Sequence, residues 1–127
     1  MSYLRADVLS AANGTSATTL TGQVAAKVWA QFHGGANGTG GAVNGSFNLS
    51  SITANGTGDF TLNFTNALLD AYYAAQVTGN FFNSTGVASC GVCFNQPSYY
   101  QTTSVRVGHQ QSNSYTTATY MSVTVTR

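Results

Sequence analysis

From Asp59 to Thr65 polar and apolar residues take strict turns, with Phe60, Leu62 and Phe64 on one side of the chain. Met121–Thr126 repeats the pattern with Met121, Val123 and Val125. Val43–Ser50 sets Val43, Phe47 and Leu49 on one side, and Ser104–Val107 alternates briefly. A period of two sends neighbouring side chains to opposite faces of a strand, so these runs predict half-buried strands of an antiparallel sheet. Lys27–Phe32 is also strand-like, but a strand would turn Trp29 and Phe32 opposite ways. One of them must therefore meet something other than the domain's own core.

The punctuation between these runs agrees. Gly34-Gly35, residues 37–41, Asn55–Gly58, Asn83–Gly86 and Gln96–Ser98 are turn or loop sequences. Seven or eight short strands at this spacing predict an all-β fold, an antiparallel two-sheet β-sandwich of jelly-roll-like form. The one helix candidate is Asn66–Ala75, and its Tyr72-Tyr73 pair favours a strand beginning near Ala71 instead. The first residues differ: Tyr3–Leu9, Asn13-Gly14 and Ala17–Thr21 read as a small hairpin or extended arm with too little apolar content for a core. The expected division is an N-terminal arm, 1–22, and a sandwich domain, 23–127.

Composition narrows the function. Charged residues make up 6% of the 127 residues, against roughly 25% in ordinary soluble domains. Glutamate is absent; the acids are Asp7, Asp59 and Asp70, the bases Arg5, Lys27, Arg106 and Arg127, and the net charge is +1. So weak a field does not draw a chain onto nucleic acid or an anionic membrane. Aromatics at 12% mark a folded chain rather than a disordered one. Charges sit among the first residues, and no apolar run approaches about 18–20 residues. The expectation is synthesis in the cytoplasm of the host, with no leader and no membrane insertion. The sequons at Asn13, Asn37, Asn44, Asn48, Asn55, Asn63 and Asn83 are then read as turn chemistry, since Asn-Gly tolerates positive φ.

Cys90-Gly-Val-Cys93 is the most reactive-looking motif. A redox CxxC needs a helix N-terminus, and a zinc site needs two further ligands where only His33 and His109 are on offer. A bridge between the two thiols would need a turn at Gly91. The residues fit two free, largely buried thiols, with a disulfide formed after release or a metal as alternatives. His33 and His109 lie beside glycines in expected loops, and the three Asp residues are scattered along the chain. No nucleophile–base–acid set or carboxylate pair results. The expectation is no enzyme, no cofactor and no metal.

Two blocks carry a resemblance. Ala26–Phe32 (AKVWAQF) and Ser46–Phe64 (SFNLSSITANGTGDFTLNF) resemble short virion proteins of tailed phages, usually described as tail-fibre proteins. The opening Leu4–Leu9 is similar to the start of many marine and cyanobacterial phage structural proteins, where it precedes different β-domains. The resemblance covers residues 4–64. It implies a docking arm carried by Leu4, Arg5, Asp7, Val8 and Leu9, a location on the virion surface and, by analogy with such proteins, a homotrimer.

What remains is a set of aromatics on a surface of Thr, Ser, Asn and Gly. Adjacent pairs such as Phe81-Phe82 and Tyr99-Tyr100 cannot both point inward from one strand. The candidate contacts are Trp29, Tyr72, Tyr73, Phe81, Phe82, Tyr99, Tyr100, His109 and Tyr115. They suit a subunit or capsid interface, a host-surface glycan or receptor, or a plain core edge. The expected function is a non-enzymatic structural protein on the virion, a homotrimeric short tail fibre or fibre tip that presents loops to the host. The alternative is a capsid decoration or cement protein. Expected partners are copies of itself and the tail or major capsid protein.

Overall fold

The computed structural model describes residues 26–35, 42–80, 90–93, 96–111, 114–116 and 118–127. The expected arm, 1–22, and the Phe81-Phe82 pair lie outside the described residues.

The described chain is an all-β sandwich. One sheet has the strand order β2-β1-β10-β5, built from β1 (Ala26–Phe32), β2 (Val43–Phe47), β5 (Ala74–Asn80) and β10 (Tyr120–Thr126). The other runs β3-β4-β8-β6, from β3 (Leu49–Gly56), β4 (Asp59–Phe64), β6 (Cys90–Cys93) and β8 (Ser104–Gln111). The short strands β7 (Tyr100–Gln101) and β9 (Ser114–Tyr115) also pair with β8. All the strand pairings are antiparallel. Among the described residues the only helical element is a 3-10 turn, Pro97–Tyr99.

The period-two runs behave as their spacing requires. Phe60, Leu62 and Phe64 from β4 meet Met121, Val123 and Val125 from β10, with Val28, Ala30 and Phe32 from β1 and Val105 and Val107 from β8. At the centre the Phe32 and Phe60 rings meet edge to face, centroids 5.4 Å apart, the arrangement their quadrupoles favour. Phe32 is thus the inward residue of β1, and Trp29 faces out.

Among the described strands the chain crosses between the sheets after β2, β4, β5 and β9. Here β1 and β2 share one sheet and β3 and β4 the other. The run Val43–Ser50 is therefore not one strand with a single apolar side: it breaks at Asn48, where the chain leaves one sheet for the other. Asn48 holds φ at 56°, a left-handed conformation that asparagine tolerates better than most residues. Its side-chain amide donates to the Lys27 carbonyl at 3.2 Å and the Asn66 carbonyl at 3.1 Å, and its Oδ1 accepts from the Asn66 amide at 2.7 Å. One side chain ties both sheets at their shared corner.

Other boundaries also move. Residues 66–73 are neither helix nor strand, and β5 begins at Ala74 rather than near Ala71. Asp70 explains part of this, since its Oδ1 accepts the Tyr72 amide at 2.8 Å and Oδ2 pairs with Arg127 at 2.5 Å. The β3–β4 turn is Thr57-Gly58, with Gly58 at φ 67°, rather than Asn55-Gly56. Any side chain at Gly58 would also strike the Thr116 carbonyl at 2.3 Å.

Candidate functional site

Register across the β2-β1-β10-β5 sheet assembles rows of residues from distant parts of the chain. Phe47, Trp29, Thr124 and Gln76 stand opposite one another in one row. The next row holds Gly45, Gln31, Ser122 and Thr78. Beyond it stands Tyr120, whose ring lies 4.3 Å from that of His33. All these residues lie on the outward face, because Val28, Ala30, Met121 and Val123 between them are buried. The face carries a single charged residue among those described, Lys27 at one end of β1.

Trp29 is 42% exposed and Phe47 56%. The Trp29 ring lies across Gly45, where a Cβ would stand 3.1 Å from its Cη2. Glycine at that position leaves room for the indole to approach the backbone of β2. On the far side of Phe47 a groove of about 460 Å³ is lined by Ala26, Lys27, Phe47, Asn48, Thr65, Asn66 and Leu68. On the near side a trough of about 280 Å³ is lined by Gln31, Thr78, Gly79, Tyr120 and Ser122.

The opposite outward face, on β3-β4-β8, is closed on itself. Asn63 Nδ2 donates to Ser51 Oγ and Thr53 Oγ1, both at 3.0 Å. Asn55 Nδ2 donates to Asp59 Oδ1 at 3.2 Å and Thr61 Oγ1 at 2.9 Å. Arg106 Nε donates to Asp59 Oδ1 at 2.8 Å in an ion pair, and its guanidinium lies 4.6 Å from the Tyr99 ring centroid. The hydrogen bond it donates to Asp59 holds Arg106 still further above its ordinary basic range. This ladder uses its polar groups internally.

No protein-family model matches the chain, and neither a curated protein nor a solved structure matches it. The site is therefore argued from its own geometry.

The sequence-derived candidates do not converge on one place. Trp29 lies on the open face, while Tyr115, 43% exposed on β9, and Tyr72, 87% exposed in the loop before β5, lie elsewhere. Tyr73 and Tyr100 pack against the core, 5.4 Å apart, and the Tyr73 hydroxyl lies within hydrogen-bonding distance of the Gln101 and Ser104 carbonyls. They are largely structural, because the loop before β5 must be pinned to β8. Tyr99 is half-buried beneath Arg106.

His109 requires a correction. It is neither in a loop nor available as a contact, but lies in β8, fully buried. Its Nδ1 lies 3.1 Å from the Thr116 carbonyl, a position from which it donates, and its ring packs on Gly79, where a Cβ would come within 2.5 Å of Cδ2. Nε2 has no partner among the described residues. The pattern Val105, Val107, His109 continues β8's inward face one step past the apolar run, and a polar residue hid it.

Cys90 to Cys93 form strand β6, with Cys90 opposite Gln110 and Cys93 opposite Val107. The backbone at Gly91 stays in register with β8 and does not make the turn a bridge would need. Among the described residues no group of three or more metal-ligating side chains is found. Sequence reasoning missed Phe47 as an outward residue, and missed Gln31, Thr78 and Ser122 altogether. Alternation in β10 already sets Ser122 on the face opposite Met121 and Val123, and could have found it.

Proposed function

We propose that the chain is a non-catalytic structural protein of a tailed-phage particle, a homotrimer at the virion surface. It attaches by residues 1–22 as a short tail fibre. One observation supports this reading: of the two blocks that hold the resemblance, Ala26–Phe32 forms β1, and Ser46-Phe47 at the start of Ser46–Phe64 lie beside it on β2. Trp29 of the first lies directly opposite Phe47 of the second. Two exposed aromatics side by side on a nearly uncharged face form an anchor that a neighbouring subunit can bury, each side chain contributing about 1.5–3 kcal/mol.

The test is quantitative mass spectrometry on purified particles. Presence in a few to a few dozen copies is the expected result. Hundreds of copies would replace the tail role with capsid decoration, and absence from particles would overturn the virion reading. Sedimentation of the isolated protein at the monomer mass across micromolar concentrations would overturn the trimer.

A further inference from the structure

We propose that the trough on the outward face of β1, β10 and β5 is a binding site for a neutral glycan. Gln31 pairs with Ser122 and Ser122 with Thr78, so an amide and two hydroxyls stand in line on three adjacent strands. Strands lie about 4.8 Å apart, so the row spans about 10 Å, the scale of one to two sugar rings.

These three side chains make no hydrogen bond within the chain among the described residues, unlike the Asn55 and Asn63 ladder opposite. They offer both donors and acceptors, as a ring of hydroxyls requires. The backbones of β1 and β10 are held by ladder bonds on both sides and that of β5 by its bonds to β10, so little ordering is needed when a ligand arrives.

Aromatic surface bounds the row. Tyr120 flanks it on one side, its ring held against His33 at 4.3 Å and 39% exposed. An aromatic face presents negative potential to the C–H groups of a pyranose, and a hydroxyl-rich molecule fills the polar floor.

Charge decides between occupants. Among the described residues no charged side chain lines the trough, so none of them recognises a phosphate, a sulfate or a carboxylate. A protein partner would bury apolar area, and that area lies at Trp29 and Phe47, outside this lining. A neutral oligosaccharide fits what is present. The proposal does not rest on the position of the chain in a particle, and either can fail while the other stands.

The experiment is an amide NMR titration of the full chain with maltohexaose, cellohexaose and mannohexaose, and with a heparin hexasaccharide as the anionic probe. Saturable shifts at Gln31, Thr78, Tyr120 and Ser122 are expected with at least one neutral probe, with a Kd on the order of 1 mM, and none with heparin. Gln31→Ala should weaken binding by about fivefold, the equivalent of one hydrogen bond. Tyr120→Phe should keep most of the affinity by retaining the stacking ring. Thr78→Arg fills the trough from the β5 edge without touching the His33 contact and should abolish binding. No saturable shift at these residues with any neutral probe overturns the proposal, as does affinity unchanged in both Gln31→Ala and Thr78→Arg. Shifts at the same amides that follow protein concentration rather than sugar would assign the face to a second copy and likewise overturn it.

Discussion

On the outward face of β3-β4-β8, Asn55 and Asn63 each donate to two neighbours, and Asp59 holds Arg106. On the outward face of β2-β1-β10-β5, the side chains of Gln31, Thr78 and Ser122 make no hydrogen bond within the chain among the described residues, and Trp29 and Phe47 stand exposed beside them. Both faces are poor in charge and rich in Thr, Ser and amide side chains. The difference lies in whether cross-strand partners fall within reach. A polar group already paired within the chain gains little by exchanging that partner for another. A group whose only present partner is water has its pairing capacity to offer. The first face is a finished surface, and the second is one that can still make contacts.

The largest expected effect removes the difference by removing both faces. Phe60 is fully buried and stacks edge to face on Phe32. Phe60→Ala should cost about 3–5 kcal/mol, read from urea unfolding followed by far-ultraviolet circular dichroism. A loss below about 1 kcal/mol would mean that the two sheets do not share the packed core described here.

The comparison sharpens at Trp29 and Phe47. Serine at either position should leave the urea midpoint nearly unchanged and weaken self-association by about 1.5–3 kcal/mol per contact, measured by sedimentation equilibrium. Unchanged association in both variants would take this face out of the subunit interface.

Asn48 tests the corner that joins the two sheets. Asn48→Gly keeps the left-handed backbone and loses three hydrogen bonds, so a loss of about 1–2 kcal/mol is expected. Asn48→Ala adds backbone strain and should cost more. Equal losses in the two variants would remove the conformational part of the argument.

The smallest effect is the most direct contrast. Asn63→Ala, on the finished face, should lose about 0.5–1.5 kcal/mol as two donors vanish. Gln31→Ala, on the open face, should stay within about 0.5 kcal/mol of the parent. The reverse ranking in a side-by-side denaturation experiment would undo the distinction between the faces.

Much of the fold was legible along the chain. Alternation identified Phe60, Leu62, Phe64, Met121, Val123 and Val125 as the inward set, and opposed Trp29 to Phe32. These statements need only the period of a strand, which is a property of neighbouring residues. The same logic failed at Val43–Ser50, because a single left-handed residue at Asn48 moves the chain to another sheet without disturbing the local pattern. It also failed at His109, where a polar residue beside a glycine looked like a loop and proved to be the end of an inward stripe.

The sequence by itself determined that this protein is a charge-poor β-sandwich with aromatic residues to spare on its surface. Only the tertiary structure decided which of those aromatics are spent on packing, as Tyr73 and Tyr100 are, and which remain outward, as Trp29 and Phe47 do. The tertiary structure alone also placed Gln31, Ser122 and Thr78 in one row. The physical reason is separation along the chain. Alternation acts between neighbours, whereas a row across a sheet is set by the register of strands dozens of residues apart, and register is fixed by the packing of their buried faces.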